Sequence, residues 1–467
     1  MKTILIKNGL VYDGAGGAPL KTDVFIRNGR VARLGSFKKE TADIFLDATG
    51  TVVTPGLVDV NFEIEHRSGI FAEPYQESIL RQGITTVIGS VDDLAGRPLG
   101  EILFLLEKRG VGVNFGALAG YEDIRRFFTK GIGRDLAGGE AESAKNAVSR
   151  TFREGALGMS LDLSSPAGRG IPVNELVELA RESAKMKKVF AVHLRRDGEK
   201  ILESLREIID ISKIAGASVE INHLQPLRGF SEDYRSALAL LGKEASKSHV
   251  NFDVFPHPAV SVPLRSFLPD WLLTADTDEA RNSLKEKTVK DRVLKYLQKI
   301  KTDGAVIASA PPALKFLEGK SLDDFARNHG LTKARAIFKL MALIGLKGKL
   351  FCLWGDKIVL EDFLASQRSL VTLSYHHFGG EAGAGEFFSW AEKGGKLPVE
   401  KAVAKLTGLP AAKYGISKRG MIKENYWADA VIWENWKPKT VLVNGVLAME
   451  NGTLLKKKAG AVVKALP

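Results

Sequence analysis

Residues 189–224, VFAVHLRRDGEKILESLREIIDISKIAGASVEINHL, contain an apolar run, a helical stretch and a second apolar run in close succession. The two runs, Val189–Leu194 and Ser218–Leu224, have the length and apolar content of strands that are covered on both faces. Between them, residues 201–209 carry isoleucine and leucine at helical spacing. This order predicts two parallel strands joined by a crossover helix.

The same alternation of strand and helix extends outward from this unit in both directions. Six further apolar runs bring the candidate strands to eight: Leu57–Asn61, Ile84–Gly89, Gly112–Leu118, Ala156–Asp162, Val250–Pro256 and Ser369–Tyr375. Eight strands with intervening helices predict an α/β protein built on a (β/α)8 TIM-type barrel. Residues 263–368 are too long for one loop, and their helical stretches predict a helical insertion before the eighth strand.

Both ends of the chain carry short alternating strands and Asn-Gly pairs, at Asn8-Gly9, Asn28-Gly29, Asn444-Gly445 and Asn451-Gly452. Asn-Gly between apolar runs is typical of a two-residue hairpin turn, because that turn needs positive φ at both positions. Each end is too short to bury a sheet alone, which predicts a small composite β-sandwich made from both ends. The predicted domains are 1–55 and 415–467 for the sandwich and 56–414 for the barrel.

The composition is that of a globular protein of 467 residues, with 45% hydrophobic and 26% charged residues. No segment is apolar over the roughly 18 residues that a membrane span needs, so we expect no membrane partner. Cys352 is the only cysteine, which excludes a disulfide framework and favours a reducing, cytoplasmic location. The net charge is +12, but the basic residues are spread along the chain, so nucleic-acid binding is not expected.

Two neighbouring candidate strands end in histidine, at the edge of the barrel where catalytic side chains lie. His193 follows the fifth strand and His223 the sixth. Two imidazoles on adjacent strands can share one zinc ion, whereas either one alone is more simply a hydrogen-bonded core residue. The carboxylates that offer a third ligand are Glu63, Asp92 and Asp162. For Asp92 a solvated loop position or a helix N-cap is the favoured alternative, because aspartate is common there.

Seven short motifs occur in order along the chain. They are Thr54-Pro55-Gly56-Leu57-Val58-Asp59, Arg81-Gln82-Gly83-Ile84-Thr85-Thr86-Val87, Glu154-Gly155-Ala156-Leu157-Gly158-Met159-Ser160, His193-Leu194-Arg195, Ile221-Asn222-His223-Leu224, Leu406-Thr407-Gly408-Leu409-Pro410-Ala411 and Arg419-Gly420-Met421-Ile422. Together they resemble the D-aminoacylase (N-acyl-D-amino-acid deacylase) branch of the amidohydrolase superfamily. The resemblance implies zinc-dependent hydrolysis of an amide, with an aspartate after the eighth strand as the base.

Only part of the metal centre that this resemblance implies is present. The family holds one zinc tightly, through a cysteine after the second strand and histidines after the fifth and sixth, which His193 and His223 match. The cysteine's place falls on Ser90 or Val91. A second, weaker family site uses His-x-His after the first strand, where this chain has Asn61-Phe62-Glu63. Asparagine is a poor zinc ligand beside imidazole, so one zinc ion at most is expected.

The positions that act on the substrate also differ from the family. The place of the catalytic aspartate falls on Tyr375 or His376, and that of a lysine that helps hold the substrate carboxylate falls on Gln225. Tyrosine has a pKa of about 10 and is a poor base at neutral pH, whereas imidazole titrates near that pH. His376 is therefore the candidate general base. The candidate substrate-binding residues are Asn61, Arg195, Gln225 and Tyr375.

Two functions from different classes stay open. The first is a remodelled hydrolase that acts on a non-peptide C–N bond of a small-molecule amide, with one zinc on the two histidines and a carboxylate, and with His376 or His377 as the base. The second is a catalytically inactive homologue that keeps the barrel as a binding or scaffold protein, since a fold does not carry function alone. The retained histidines favour the first function, and the simultaneous loss of ligands and base favours the second.

Overall fold

The computed structural model describes residues 2–62, 70, 73–91, 97–130, 134–273, 277–302, 304–346, 348–373 and 383–464. Its strands form two nine-stranded sheets and one three-stranded sheet. They are β1 Ile4–Val11, β2 Leu20–Arg27, β3 Arg30–Gly35, β4 Ile44–Asp47, β5 Val52–Pro55, β6 Leu57–Asp59, β7 Ile84–Val91, β8 Asn114–Gly120, β9 Gly158–Asp162, β10 Val189–His193, β11 Ser218–Asn222, β12 His249–Val254, β13 Val260–Pro263, β14 Val306–Ser309, β15 Lys349–Cys352, β16 Ser369–Val371, β17 Ala430–Glu434, β18 Lys437–Val443, β19 Val446–Glu450, β20 Thr453–Leu454 and β21 Val462–Val463.

The central sheet is a parallel barrel of eight strands in the order β6, β7, β8, β9, β10, β11, β12 and β16, with β21 added beside β8. These are the eight strands that the sequence predicts, so the predicted (β/α)8 barrel is confirmed. The Asp59 carboxylate accepts hydrogen bonds from Thr372 Oγ1 at 2.7 Å and from the Leu373 amide at 3.1 Å. This buried carboxylate links the first barrel strand to the chain that leaves the last one.

Helices follow the barrel strands and bury their apolar faces against the sheet. The helix Ile201–Ala215, for example, buries Ile201, Leu205 and Ile208, the face that the sequence predicts. No helix in the described ranges is both long and apolar enough to cross a membrane. The helices are Glu77–Leu80, Leu99–Arg109, Tyr121–Thr129, Gly138–Arg153, Pro166–Arg169, Val173–Lys185, Ile201–Ala215, Ser231–Lys243, Asp270–Leu273, Thr277–Ser283, Lys287–Leu297, Leu322–Asn328, Lys333–Ile344, Lys357–Ala365, Ala384–Glu392, Val399–Lys405 and Gly408–Lys413.

The predicted insertion lies between β12 and β16 and has an apolar core of its own, which includes Phe267, Ile337 and Leu350. The predicted helical stretches are present, and Lys333–Ile344 is one of them. The insertion also contains an antiparallel sheet in the order β13, β15, β14, which the prediction of a helical insertion lacked. Each of these strands is four residues long.

The two chain ends form the second nine-stranded sheet, in which β5 from one end pairs with β17 from the other. One face of this sheet contributes Trp433 and Val441 to the core shared with the barrel, and the other encloses a cluster around Ile6 and Ile432. The predicted joining of the two ends is thus confirmed. The exact domain boundaries, at 56 and 414, stay a prediction.

Three of the four Asn-Gly pairs form the predicted hairpin turns, with positive φ at both residues, as at Asn28 (53°) and Gly29 (75°). The prediction at Asn8-Gly9 is wrong, because β1 runs through this pair with a bulge instead of turning. Asn8 still has a φ of 64°, since a bulge uses the left-handed region as a turn does. A Cβ at Gly9 would lie 2.6 Å from Val53 Cγ2, so only glycine fits there.

A buried polar network joins the terminal sheet to the barrel. The Asp429 carboxylate accepts hydrogen bonds from the Asn444 amide at 2.7 Å, from Asn114 Nδ2 at 3.2 Å and from Arg419 Nη1. Asn444 Nδ2 in turn donates to Asn114 Oδ1 at 2.8 Å. Asn114 begins β8 of the barrel and Asp429 immediately precedes β17 of the terminal sheet. This network therefore fixes the position of the terminal sheet relative to the barrel.

Candidate active site

His193 and His223 lie next to each other at the carboxyl ends of two adjacent barrel strands, β10 and β11. Their ring centroids are 6.2 Å apart and the ring planes are inclined by 60°. His193 is the last residue of β10, and its register partners are Asp162 at the end of β9 and Asn222 at the end of β11. The structure thus brings together the two imidazoles that the sequence singles out.

Asn61 and Asp253 contact His223, and burial lowers the pKa of its imidazole. The backbone of His223 has a φ of 54°, which turns the chain out of β11, and its backbone amide donates a hydrogen bond to Asp253 Oδ1 at 3.0 Å. Asn61 Nδ2 lies 2.8 Å from the ring Nε2 and 3.4 Å from Asp253 Oδ2, so the amide donates to both. Burial, and then the charge of His193, lower the pKa of His223 to about 3. His223 Nε2 therefore carries a hydrogen bond from Asn61.

His193 lies in a more acidic environment than His223. Burial alone would lower its pKa, but the carboxylates of Asp162 and Asp197, with a hydrogen bond to the Asn222 backbone, raise the pKa above its ordinary value. His193 Nε2 lies 3.8 Å from Asp197 Oδ2. The sequence alone does not single out Asp197, because a carboxylate four residues after a histidine is a common spacing. The pair forms only because the chain turns back after β10.

The described residues supply two of the three protein ligands that a zinc needs. Within those ranges, no three His, Cys, Asp or Glu side chains are grouped closely enough to hold a metal ion. Two imidazoles on one zinc have centroids roughly 5 Å apart, so His193 and His223 would have to approach each other and Asn61 to release Nε2. The predicted ligands Glu63 and Asp92 lie outside the described residues, as do Tyr375, His376 and His377.

Arg195, a predicted substrate-binding residue, has its guanidinium fully engaged by the protein. Nε and Nη2 donate to the two carboxylate oxygens of Glu207 at 3.1 and 2.8 Å. The other donors reach the backbone oxygens of Gly168 at 3.4 Å, Arg169 at 2.6 Å and Ile171 at 3.2 Å. Arg195 thus holds the loop after β9 against the helix that follows β10, and its role toward a substrate stays a prediction.

Replacing Arg195 with lysine is expected to lower the free energy of unfolding by about 2 kcal/mol, because lysine cannot reproduce a forked pairing to Glu207 and three carbonyl oxygens. Urea denaturation monitored by circular dichroism measures the change. Arg196→Lys is the matched control, since Arg196 is exposed and should tolerate lysine within about 0.5 kcal/mol. Equal stability of the two variants would show that this pairing contributes little.

Gln225, another predicted substrate-binding residue, also has its side chain engaged. Nε2 donates to the backbone oxygens of Phe255 at 3.3 Å and His257 at 2.8 Å, and Oε1 accepts from the Phe255 amide at 3.1 Å. The side chain is buried and joins the loop after β11 to the loop after β12. Its assignment to substrate binding stays a prediction, and the observed contacts are those of a loop brace.

A buried carboxyl group lies inside the barrel below the mouth. Glu220 on β11 is fully buried, and neither of its oxygens has a hydrogen-bond partner in the described chain. Lys413 Nζ is 3.7 Å from Glu220 Oε2. Burial raises the pKa of Glu220 to about 8, against the opposing charge of Lys413. Glu220 is therefore protonated in the folded protein at neutral pH.

Glu220→Gln is expected to make stability less dependent on pH. Because the folded-state pKa is raised, Glu220 favours folding fully below its unfolded value of 4.5 and loses this contribution as pH rises toward about 8. The wild type should lose up to about 1.4 kcal/mol per pH unit in this window relative to Glu220→Gln. Urea denaturation at pH 5, 6.5 and 8 measures this, with exposed Glu199→Gln as the control. A constant difference between wild type and Glu220→Gln would contradict a protonated Glu220.

Comparisons with known proteins agree with this architecture. No protein-family model matches the chain. The chain is 24% identical over 474 residues to a D-aminoacylase of Alcaligenes xylosoxydans xylosoxydans, and the alignment covers 94% of this chain and 88% of that protein. It is also 24% identical over 477 residues to an N-acyl-D-aspartate deacylase of the same organism, which covers 92% of this chain and 85% of that protein.

Solved structures show the same fold. A D-aminoacylase structure described by its binuclear metal centre aligns with a TM-score of 0.79 and 20% identity over 99% of both chains. The N-acyl-D-glutamate deacylase of Bordetella bronchiseptica, solved with zinc and a phosphonate inhibitor, aligns with a TM-score of 0.81 and 19% identity over 99% of both chains. The predicted resemblance is confirmed: the chain is similar in sequence to a D-aminoacylase and to N-acyl-D-amino-acid deacylases along nearly its whole length, and it shares their fold.

Proposed function

We propose that the chain is a deacylase-like amidohydrolase that cleaves a non-peptide C–N bond of a small-molecule amide. Water is added across that bond, so that the acyl carbon gains the hydroxyl and the nitrogen leaves as an amine with the proton. The observation that carries this proposal is the pair His193 and His223, whose rings meet at the carboxyl edge of the barrel. The relatives named for deacylation share the whole fold around that pair.

His193 and His223 would hold one zinc ion, with Glu63 or Asp92 as the third ligand, once Asn61 releases the ring of His223. Such an ion, when bound, would supply an activated water. Asn61 takes the place of a ligand of the family's second site, and asparagine is a poor zinc ligand beside imidazole, which argues against a two-metal centre. Asp253 orients His223, because its carboxylate holds the backbone amide and lies 3.6 Å from Nδ1. His376, after the eighth strand, is the proposed base.

Metal analysis and an amide-hydrolysis assay on the same preparation test this function. The protein is purified without chelator, its zinc content is measured by mass spectrometry, and amine release from N-acetylated amines and N-acetyl-D-amino acids is followed. We expect about one zinc per chain and turnover that chelator abolishes. Absence of turnover on the whole panel, together with no bound transition metal, would overturn the proposal in favour of a binding protein.

A further inference from the structure

A strongly basic segment lies on the surface of the insertion. Residues 281–301 contain eight lysines and arginines and two acidic residues, so they carry a net charge of +6, half of the +12 of the whole chain. All eight basic residues are exposed. The helix Lys287–Leu297 lies at the centre of this segment and buries Val293 and Leu297 in the core of the insertion. The basic side chains of this helix therefore point away from that core.

These basic residues lack the carboxylate partners that neutralise charges on other surface helices. Within the described ranges, none of the eight forms an ion pair with a carboxylate. Elsewhere, basic residues pair with an acid one turn earlier, as Arg126 does with Asp123 at 2.8 Å and Lys145 with Glu142 at 2.7 Å. Unpaired cations gathered on one surface create a positive potential that attracts an anionic partner.

Two exposed aromatic rings lie among these charges. The Arg292 guanidinium carbon is 4.3 Å from the centroid of the Trp271 ring, and Trp271 is 42% exposed. Tyr296, one turn after Arg292, is 38% exposed. Arg292, Tyr296 and Lys299 are spaced i, i+4 and i+7, so they lie on one side of the helix. The exposed acid on this helix is Asp291, which opposes only part of the positive charge.

The surface is defined by six residues, which we call the basic aromatic face: Trp271, Lys287, Arg292, Lys295, Tyr296 and Lys299. We propose that this face binds single-stranded nucleic acid, against the expectation drawn from the spread of basic residues along the chain. The lysines would contact phosphates, and unpaired bases would stack on the two aromatic rings. An acidic peptide or an anionic lipid surface would need the charges alone. None of the six residues belongs to the candidate active site, so this binding is separate from the proposed hydrolysis.

The salt dependence of binding tests the phosphate contacts. Fluorescence anisotropy of the full-length protein with labelled oligouridylate and oligothymidylate of about 20 nucleotides measures affinity at several salt concentrations. We expect the logarithm of the binding constant to fall linearly with that of the salt concentration, because each contacted phosphate releases counterions. The double variant Lys295→Gln and Lys299→Gln should make this slope shallower by about 1.4, since each contact to a single strand contributes about 0.7. Lys38→Gln with Lys39→Gln, at two exposed lysines of the terminal sheet, is the matched control and should change neither affinity nor slope.

Trp271→Ala tests stacking separately from charge. We expect about tenfold weaker binding of oligouridylate with an unchanged salt slope, because a stacked base is lost and no phosphate contact is. Phe127→Ala, at a ring that is 75% exposed on another helix, is the control and should bind as the wild type does. An unchanged affinity in Trp271→Ala, or an unchanged slope in the double glutamine variant, would overturn the proposal.

Competing anions distinguish a single strand from other acidic partners. Polyglutamate and vesicles containing phosphatidylserine are added to the labelled oligouridylate complex at equal concentrations of negative charge. We expect neither to displace the strand as well as unlabelled oligouridylate does. Equal or better displacement by polyglutamate would assign the face to an acidic protein, and by vesicles to a membrane surface. Either result, or no binding of both oligonucleotides, would overturn the proposal.

Discussion

Replacing His193 with alanine is expected to reduce the proposed amide hydrolysis at least about 100-fold and to abolish binding of the proposed zinc ion. The reason is that His193 and His223 are the two nitrogen donors that the described residues bring together, and a zinc left with one of them loses a covalent ligand. His223→Ala should have the same effect. Initial rates of amine release, and zinc content measured by mass spectrometry, are recorded for each variant.

His249→Ala is the matched control for this prediction. His249 is exposed at the first residue of β12, so it lies at the opposite end of the barrel from the mouth. We expect wild-type rate and zinc content in this variant. If His193→Ala kept both its rate and its zinc while remaining folded by circular dichroism, the reaction centre would have to lie elsewhere in the chain.

Replacing Asp429 with alanine is expected to lower the free energy of unfolding by about 3–5 kcal/mol, because it leaves a buried cation without its partner. Arg419 is 6% exposed and Asp429 4% exposed, so water cannot replace the lost carboxylate. Asn114 and Asn444 lose an acceptor in the same change. Urea denaturation measures the change in the free energy of unfolding. We also expect the terminal sheet to separate from the barrel at a lower urea concentration than in the wild type.

The exposed pair Glu434 and Lys439 provides the control for Asp429. Their side chains are 2.7 Å apart on the same terminal sheet, and Glu434 is 56% exposed. Glu434→Ala should cost less than about 1 kcal/mol, as is usual for a solvated ion pair. If Asp429→Ala lowered the free energy of unfolding no more than Glu434→Ala does, the buried network would not be what holds the terminal sheet against the barrel.

The barrel could be predicted because each of its strands is buried on both faces and leaves a continuous apolar run, as in Val189–His193. The three strands of the insertion, β13 to β15, are not predicted from the sequence. The hairpin predicted at Asn8-Gly9 is wrong, because a bulge and a hairpin turn both use positive φ at asparagine. Local patterns therefore fail where two local structures have the same conformational requirement.

The position of His193 and His223 at one edge of the barrel was evident from their places after consecutive strands. The groups that surround these two histidines were not evident from the sequence, because hydrogen-bond partners come from distant parts of the chain. Asn61 and His223 are 162 residues apart, and Asp59 and Thr372 are 313 apart. Arg195 and Gln225 likewise hold loops in place only through tertiary contacts. Folding brings Glu207 beside Arg195 and the Phe255 backbone beside Gln225. The order of the strands along the chain can be predicted from the sequence, because each strand is a locally buried apolar run. Whether a donor or acceptor is paired depends instead on which groups folding places within about 3 Å of it.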